Sequence, residues 1–283
     1  MPHASANGIS LYYEGHGDPS APTMVLIAGQ GAQLISWPAG LRELLVNQGF
    51  RVVQFDNRDV GLSTKCDGKA PYGLSDMADD LAGLLDTLRI DAAHIVGQSM
   101  GGMIAQDFAI RHPDRVLSLC SIYSAPGPAF ITTHPDVWDT REREPARERE
   151  EAIRDYIERE RACGLAEYSE EWIRANAEET IDRCYYPEGG QRQMDAVRRS
   201  ADRTDALGGL TVPTAVIHGL EDLLIDFSGG VATAAAVPGA ELHLYADMGH
   251  QLLPSLWEDY VRIISRNAAR VPRGDRPPAT IGT

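Results

Sequence analysis

Two hydrophobic periods alternate along this chain, and that alternation constrains its fold more than any other feature. Short apolar runs rich in β-branched residues recur at 9–13, 24–28, 52–55, 94–96, 116–122, 215–218 and 241–245. Stretches of helical period lie between them, at about 39–48, 74–89, 100–112, 229–237 and 255–269. Strand-then-helix repetition of this kind predicts an α/β fold with a mostly parallel, doubly wound sheet. Several runs are almost continuously apolar, as strands covered on both faces must be. Ser75 stands where it would cap the second helix, with Asp79 and Asp80 favourable in its first turn.

The alternation breaks once, between residues 127 and 207, where no run reads as a strand. Residues 139–182 carry fifteen acids and eight arginines, so they hold about seven of the chain's net fifteen negative charges. Within this block Ile153, Tyr156 and Ile157 sit at helical spacing, as do Ile173, Ala177 and Ile181. Such stripes predict amphipathic helices laid over another surface. Trp138, Tyr168, Trp172, Tyr185 and Tyr186 are too many large rings for a purely solvated excursion. We therefore expect a core of residues 1–126 and 208–270, a helical cap at 127–207 inserted before the penultimate strand, and a flexible Arg-, Pro- and Gly-rich tail at 271–283.

Composition excludes several functions. With 26 basic against 41 acidic side chains the net charge is −15. Such a chain repels phosphate backbones and anionic bilayers, so neither nucleic acid nor a membrane is an expected partner. No stretch reaches the roughly 20 apolar residues that span a bilayer, and the first residues lack the pattern of a secretion signal. The four cysteines have no metal-site or disulfide spacing, which predicts free thiols in a cytoplasmic protein.

One segment carries a specific chemistry. Gly97-Gln98-Ser99-Met100-Gly101 follows an apolar run and opens a helical one, the setting of a nucleophile elbow, where small residues let a serine project from a tight strand-to-helix turn. A serine hydroxyl needs a base to accept its proton. Of the eight histidines, His94 and His243 lie within strands, His112 ends a helix and His218 ends a strand. His3, His16 and His134 fall in the N-terminal region, a turn and the entry to the cap. His250 follows the last strand, where catalytic groups of a doubly wound sheet gather, and comes last in the order serine, acid, histidine. The acid that orients it should lie just past the penultimate strand. Asp222 is the choice there, with Glu221 and Asp226 as alternatives. Backbone donors for an oxyanion are expected from Met100 and from Gln30 in the Gly29-Gln30-Gly31 loop. Gly29, Trp138, Trp172 and Tyr185 are candidates for the substrate pocket.

Together these motifs resemble the α/β-hydrolase superfamily from about Asn7 to Arg266. Ala28-Gly29 stands where the family has His-Gly. Asp56-Asn57-Arg58-Asp59-Val60-Gly61-Leu62-Ser63 matches a family stretch, with Asp59 replacing a glycine, and Asp226 stands where the family often has proline. The Asp59 variant, with Ser36-Trp37-Pro38, is similar to a branch that contains aclacinomycin-type methylesterases and esterases opening macrolide lactones. The resemblance implies a serine hydrolase of carboxylic esters that needs no metal or organic cofactor and acts on a small-molecule ester, either a macrolide lactone or a polyketide methyl ester. An aspartate nucleophile serves haloalkane dehalogenases and epoxide hydrolases, so Ser99 argues against both. Carbon–carbon bond hydrolase, perhydrolase and non-catalytic receptor are the remaining alternatives. An acidic rim on the cap would favour cationic substrates.

Overall fold

The alternating periods resolve into one eight-stranded sheet. A computed structural model describes residues 2–68, 71–132, 134–135, 137, 139, 143–164 and 167–271. The strands are β1 (His3–Ala6), β2 (Ile9–His16), β3 (Thr23–Ile27), β4 (Arg51–Phe55), β5 (Ala93–Gln98), β6 (Val116–Ile122), β7 (Thr214–Gly219) and β8 (Glu241–Tyr245), in the spatial order β1-β2-β4-β3-β5-β6-β7-β8. The helices are α1 (Ala39–Asn47), α2 (Leu74–Thr87), α3 (Met100–Arg111), α4 (Arg149–Ala162), α5 (Glu170–Arg183), α6 (Pro187–Arg198), α7 (Thr204–Leu207), α8 (Ser228–Ala236) and α9 (Trp257–Ala269).

From β4 to β8 every neighbouring pair is parallel, while β1–β2 and β2–β4 are antiparallel. β1 is a strand that the apolar runs did not mark. It joins β2 through Asn7 and Gly8, both at positive φ (47° and 76°), the Asn-Gly turn whose twist suits a two-residue hairpin. β3, β5, β6 and β7 are buried along their whole length, so helices must cover both faces. Met24, Leu26, Val52 and Val96 cluster with Leu41 and Leu45 of α1 and Tyr260 and Ile264 of α9. Val25, Ile27, Val53 and Ile95 cluster with Leu81 and Leu85 of α2 and Ile104 and Phe108 of α3. This is the alternation of side chains along a pleated strand, read out as two cores.

Two details of α2 differ from expectation. Its N-cap is Gly73 rather than Ser75, which lies inside the first turn; the Gly73 N–H donates to the Asp76 carboxylate at 2.7 Å. Asp80 is not a solvated first-turn charge. It is buried, and its carboxylate meets the fork of Arg58 through two bonds of 2.6 Å, with Asn7 Nδ2 donating at 3.1 Å. A planar guanidinium matches a carboxylate bidentately, and that geometry outweighs any gain from the helix dipole.

Between β6 and β7 the described residues form α4 to α7 and no strand beyond an isolated bridge from Ile131 to Ile225. α4 and α5 pack on each other through the buried Ile153, Ile173 and Ala177. Exposed ion pairs tie them as well: Arg149 forks onto Asp182 at 2.6 and 2.7 Å, and Arg174 reaches Glu150 at 3.0 Å. Solvent screens exposed pairs of this kind and leaves them little net effect, so the apolar stripes carry the packing. Trp138 and the tail from 272 onward lie outside the described residues. No described helix is long and apolar enough to cross a membrane.

The chain passes from β3 outward to β4 on one side and returns to β5 on the other. Such a switch point opens a crevice at the carboxyl ends of the strands. The buried Arg58–Asp80 pair holds the loop after β4 against α2 beneath that crevice. Removing one member strands a buried charge at a cost of about 3–5 kcal/mol. Asp80→Ala is therefore expected to lower stability in a denaturant titration by that amount, and the double change Arg58→Met/Asp80→Leu to recover more than half of the loss.

Candidate active site

Four loops at the carboxyl ends of β3, β5, β7 and β8 meet in the crevice. The one after β5 begins at Ser99, held at φ 55° and ψ −125°, a left-handed conformation forced on a non-glycine residue. Neighbouring backbone makes room for this turn only through missing side chains. A Cβ on Gly97 would lie 2.1 Å from Gly101 O, and one on Gly101 would lie 2.2 Å from Ile27 O. The Ser99 N–H donates to Ile122 O at 2.9 Å. Its hydroxyl thus stands above the sheet at the start of α3.

His250 lies in the loop after β8. Its Nε2 is 2.8 Å from Ser99 Oγ, and its Nδ1 is 2.7 Å from Asp222 Oδ2 in the loop after β7. The Asp222 side chain has no exposure, and that of His250 only 7%. Burial alone would raise the Asp222 carboxyl, but the attraction of His250 and hydrogen bonds from His218 and His250 outweigh it and hold it well below the usual carboxylate range. Its other oxygen accepts the N–H groups of Leu224 and Ile225, both at 2.9 Å. Asp222 is therefore ionised at neutral pH and only accepts, so Nδ1 of His250 carries the proton and Nε2 is left to accept from the Ser99 hydroxyl.

The two other acids weighed for this place stand elsewhere. Glu221 is exposed, with its N–H on Met248 O at 3.1 Å, and Asp226 is exposed and accepts from the Ser228 N–H at 2.9 Å at the start of α8. Gly219 lets the β7 and β8 loops meet, since a Cβ there would fall 1.9 Å from Met248 O. His218, fully buried, brings Nε2 to 3.2 Å from Asp222 Oδ2 and 3.0 Å from Ile225 O. Tyr123 places its ring 4.6 Å from that of His250 and donates its hydroxyl to Gln98, whose Nε2 reaches Ser36 Oγ at 2.9 Å. Neither His218 nor Tyr123 stood out in the sequence, because a buried strand-end residue carries no local sign of what it faces.

Gly29 lies beside the serine: a Cβ there would be 3.3 Å from Ser99 Cβ. Gln30 follows it, with its side-chain amide donating to Gly190 O at 2.6 Å. Met100 is the first residue of α3, where a backbone N–H has no partner within the helix. These residues line a cavity of about 610 Å³ that also touches Ser99, His250 and residues of α4, α5 and α6. Trp172 and Tyr185 line it too. Trp172 stacks on Tyr168 at 3.9 Å, and Tyr185 donates to Ala146 O at 3.1 Å. Its charged lining is mixed, with Glu144, Asp155, Glu160 and Asp195 alongside Arg143, Arg159 and Arg198, rather than acidic. Among the described residues no group of three His, Cys, Asp or Glu side chains is placed to hold a metal ion.

Comparison with known proteins agrees with this architecture. A family model described as the alpha/beta hydrolase fold matches residues 22–254. Rhodomycin D methylesterase of Streptomyces peucetius is 41% identical over 112 residues, a match spanning only 39% of this chain and 38% of that relative. A putative carbamate hydrolase of Yersinia enterocolitica is 31% identical over 258 residues, 86% of each chain. Among solved structures, the enol-lactonase of Burkholderia xenovorans LB400 superposes with a TM-score of 0.78 at 26% identity, over 95% of this chain and 100% of that one.

The crowding at the serine turn has a direct consequence. Because backbone atoms rather than flexible side-chain ends block the added methyl, Gly97→Ala and Gly101→Ala are each expected to cut soluble yield. In the protein that does fold they should abolish labelling of Ser99 by a serine-directed phosphonate, measured by intact mass.

Proposed function

The chain belongs to the α/β-hydrolase family, and on that premise we propose that it hydrolyses carboxylic esters through an acyl-enzyme formed on Ser99. The observation that carries this reading is the unbroken run of hydrogen bonds from Ser99 Oγ to His250 to Asp222, at 2.8 and 2.7 Å. Ser99 Oγ attacks the ester carbonyl carbon while its proton passes to His250 Nε2. The carbonyl electrons become an oxyanion facing the N–H groups of Met100 and Gln30, and Asp222 stabilises the imidazolium that has formed. His250 then gives its proton to the departing alkoxide. Water, deprotonated by the same ring, releases the acid and restores Ser99. Proton transfer of this kind contributes about 10²–10⁴-fold, and each oxyanion donor about 10²–10³-fold.

The helices between β6 and β7 act as the cap of this site, and the substrate they cover is bulky. A cavity of about 610 Å³ falls within the usual range of roughly 300–1,000 Å³ for small-molecule sites. A polyketide methyl ester or macrolide lactone suits it, and the partial likeness to rhodomycin D methylesterase supports the first. Carbamate hydrolysis is acyl transfer by the same groups, and the longer match to a putative carbamate hydrolase favours it as the second reading.

A panel of polyketide methyl esters, macrolides, carbamates and short aryl esters separates these readings. Acid release from the bulky esters at a kcat/KM above that for the aryl esters is the expected result; turnover confined to carbamates or aryl esters would contradict the bulky-ester proposal. Ser99→Ala should lose both turnover and fluorophosphonate labelling. Asp222→Asn, which leaves the ring in the wrong tautomer, should lower kcat by about 10⁴-fold at pH 7–8. The Asp222 carboxyl is held below the usual range, so its charge persists below an ordinary aspartate's value of about 3.9, while the stability that charge contributes is full above that value and is lost progressively as pH falls from it toward the lower folded value. Protonation of Asp222 should accordingly leave no step near that ordinary value in a pH–rate profile.

A further inference from the structure

The loop from Gly29 to Gln33 leaves β3 in front of Ser99 with no strand beside it, so its hydrogen bonds have to come from elsewhere. Gln33 Nε2 donates to Thr180 O and Cys184 O, at 2.8 and 2.9 Å, at the end of α5. Gln30 Nε2 donates to Gly190 O on α6. The Gly31 N–H donates to Oε1 of Gln193, also on α6, at 2.7 Å. Gln193 has no exposure, and its Nε2 donates to Arg58 O at 2.7 Å. One buried amide thereby joins the loop after β3 to the loop after β4.

This bond has a particular effect on Gln30. The peptide before Gln30 is held by the bond from Ala32 N–H to Gly29 O at 3.3 Å. The peptide after it is held by the bond from Gly31 N–H to Gln193. With both flanking peptide planes fixed, the direction of the Gln30 N–H is fixed too. The first turn of α6 can come this close because it is Gly189-Gly190: a Cβ on Gly189 would lie 1.9 Å from Asp59 O. Arg192, the neighbour of Gln193, anchors the helix separately by forking onto the buried carboxylate of Asp59 at 2.8 and 2.9 Å.

We propose that Gln193 is a positioning residue of the reaction, which aims the Gln30 N–H at the oxyanion by holding the peptide that follows it. The inference rests on the ester-hydrolase reading above. Gln193 then belongs to the catalytic framework although it lies on a helix of the insertion. Because an oxyanion exists only after Ser99 has attacked, losing the bond should weaken the transition state and spare binding of the ester.

The test compares Gln193→Met, and the shorter Gln193→Asn should the first fold poorly, with Leu85→Ala in the buried core of α2, away from the cavity. Active sites are counted by fluorophosphonate titration. On an activated ester, the Gln193 variants should show kcat per titrated site lowered by about 10–100-fold, part of what a lost donor costs, with KM within threefold of wild type. Binding of a trifluoromethyl ketone should weaken by the same factor as kcat/KM. In that adduct Ser99 Oγ bonds to the carbonyl carbon, the carbonyl electrons become the oxyanion, and His250 takes the proton. Leu85→Ala should lower the melting temperature and leave kcat per site within threefold. A Gln193 variant with near-wild-type kcat per site, or a Leu85→Ala enzyme equally impaired, would overturn the proposal. A wild-type protein that neither titrates nor hydrolyses esters would instead contradict the ester-hydrolase reading itself.

Discussion

The whole site depends on one strained residue. Ser99 sits at φ 55° and ψ −125°, a conformation that costs of order 1–3 kcal/mol for a side chain of its kind. It persists because β5 is buried between β3 and β6, because α3 begins at the next residue, and because Gly97 and Gly101 let Ile27 and the helix backbone close in around the turn. The same crowding aims the hydroxyl out of the sheet toward His250. The fold therefore holds the serine before any substrate arrives, and the loops after β3, β7 and β8 are arranged around a point that already exists.

Those loops are not held by the sheet alone. The insertion between β6 and β7 bonds to the loop after β3 through Thr180, Cys184, Gly190 and Gln193. It bonds to the loop after β8 as well: the His250 N–H donates to Cys163 O at 3.0 Å, Gln251 Nε2 to Glu160 O at 2.8 Å and the Tyr168 hydroxyl to Leu252 O at 2.5 Å. Asp59 gains a reason in this setting. It stands at φ 72°, where a glycine would be easiest. Its buried carboxylate instead accepts the Cys66 N–H at 2.6 Å and the fork of Arg192. The same holds for Asp56, which receives Leu34 N–H, Leu62 N–H and Arg183 Nη2, each at 2.8 Å. Two buried carboxylates of one core loop thus receive two arginines of the insertion. These two arginines of a strongly acidic chain are in this way spent on order near the crevice rather than on surface charge balance.

How much of this was legible in the sequence follows from the range of each interaction. The parallel strands, the serine turn and the order of Ser99, Asp222 and His250 are written in runs of a few residues, because hydrophobic period and glycine spacing are local. The choice of Asp222 over Glu221 and Asp226 needed geometry, since three acids within six residues differ only in where the loop turns them. The Asn7-Gly8 turn was a local signal as well, and β1 follows from it. The start of α2 differed from the expected cap at Ser75 because Asp76, three residues after Gly73, receives the Gly73 N–H, and the helix begins at Leu74. Nothing local distinguishes Gln193 from any other polar residue of a helix. Its partner Gly31 lies 162 residues away, and the bond exists only once the insertion has docked.

The central claim, that Ser99 carries the acyl group, is tested most directly by quenching the enzyme in acid during turnover of an activated ester and measuring its mass, then mapping peptides. The enzyme should gain the mass of one acyl group, located on the peptide that contains Ser99. Turnover with the enzyme's mass unchanged throughout, or an acyl group on any other residue, would contradict it.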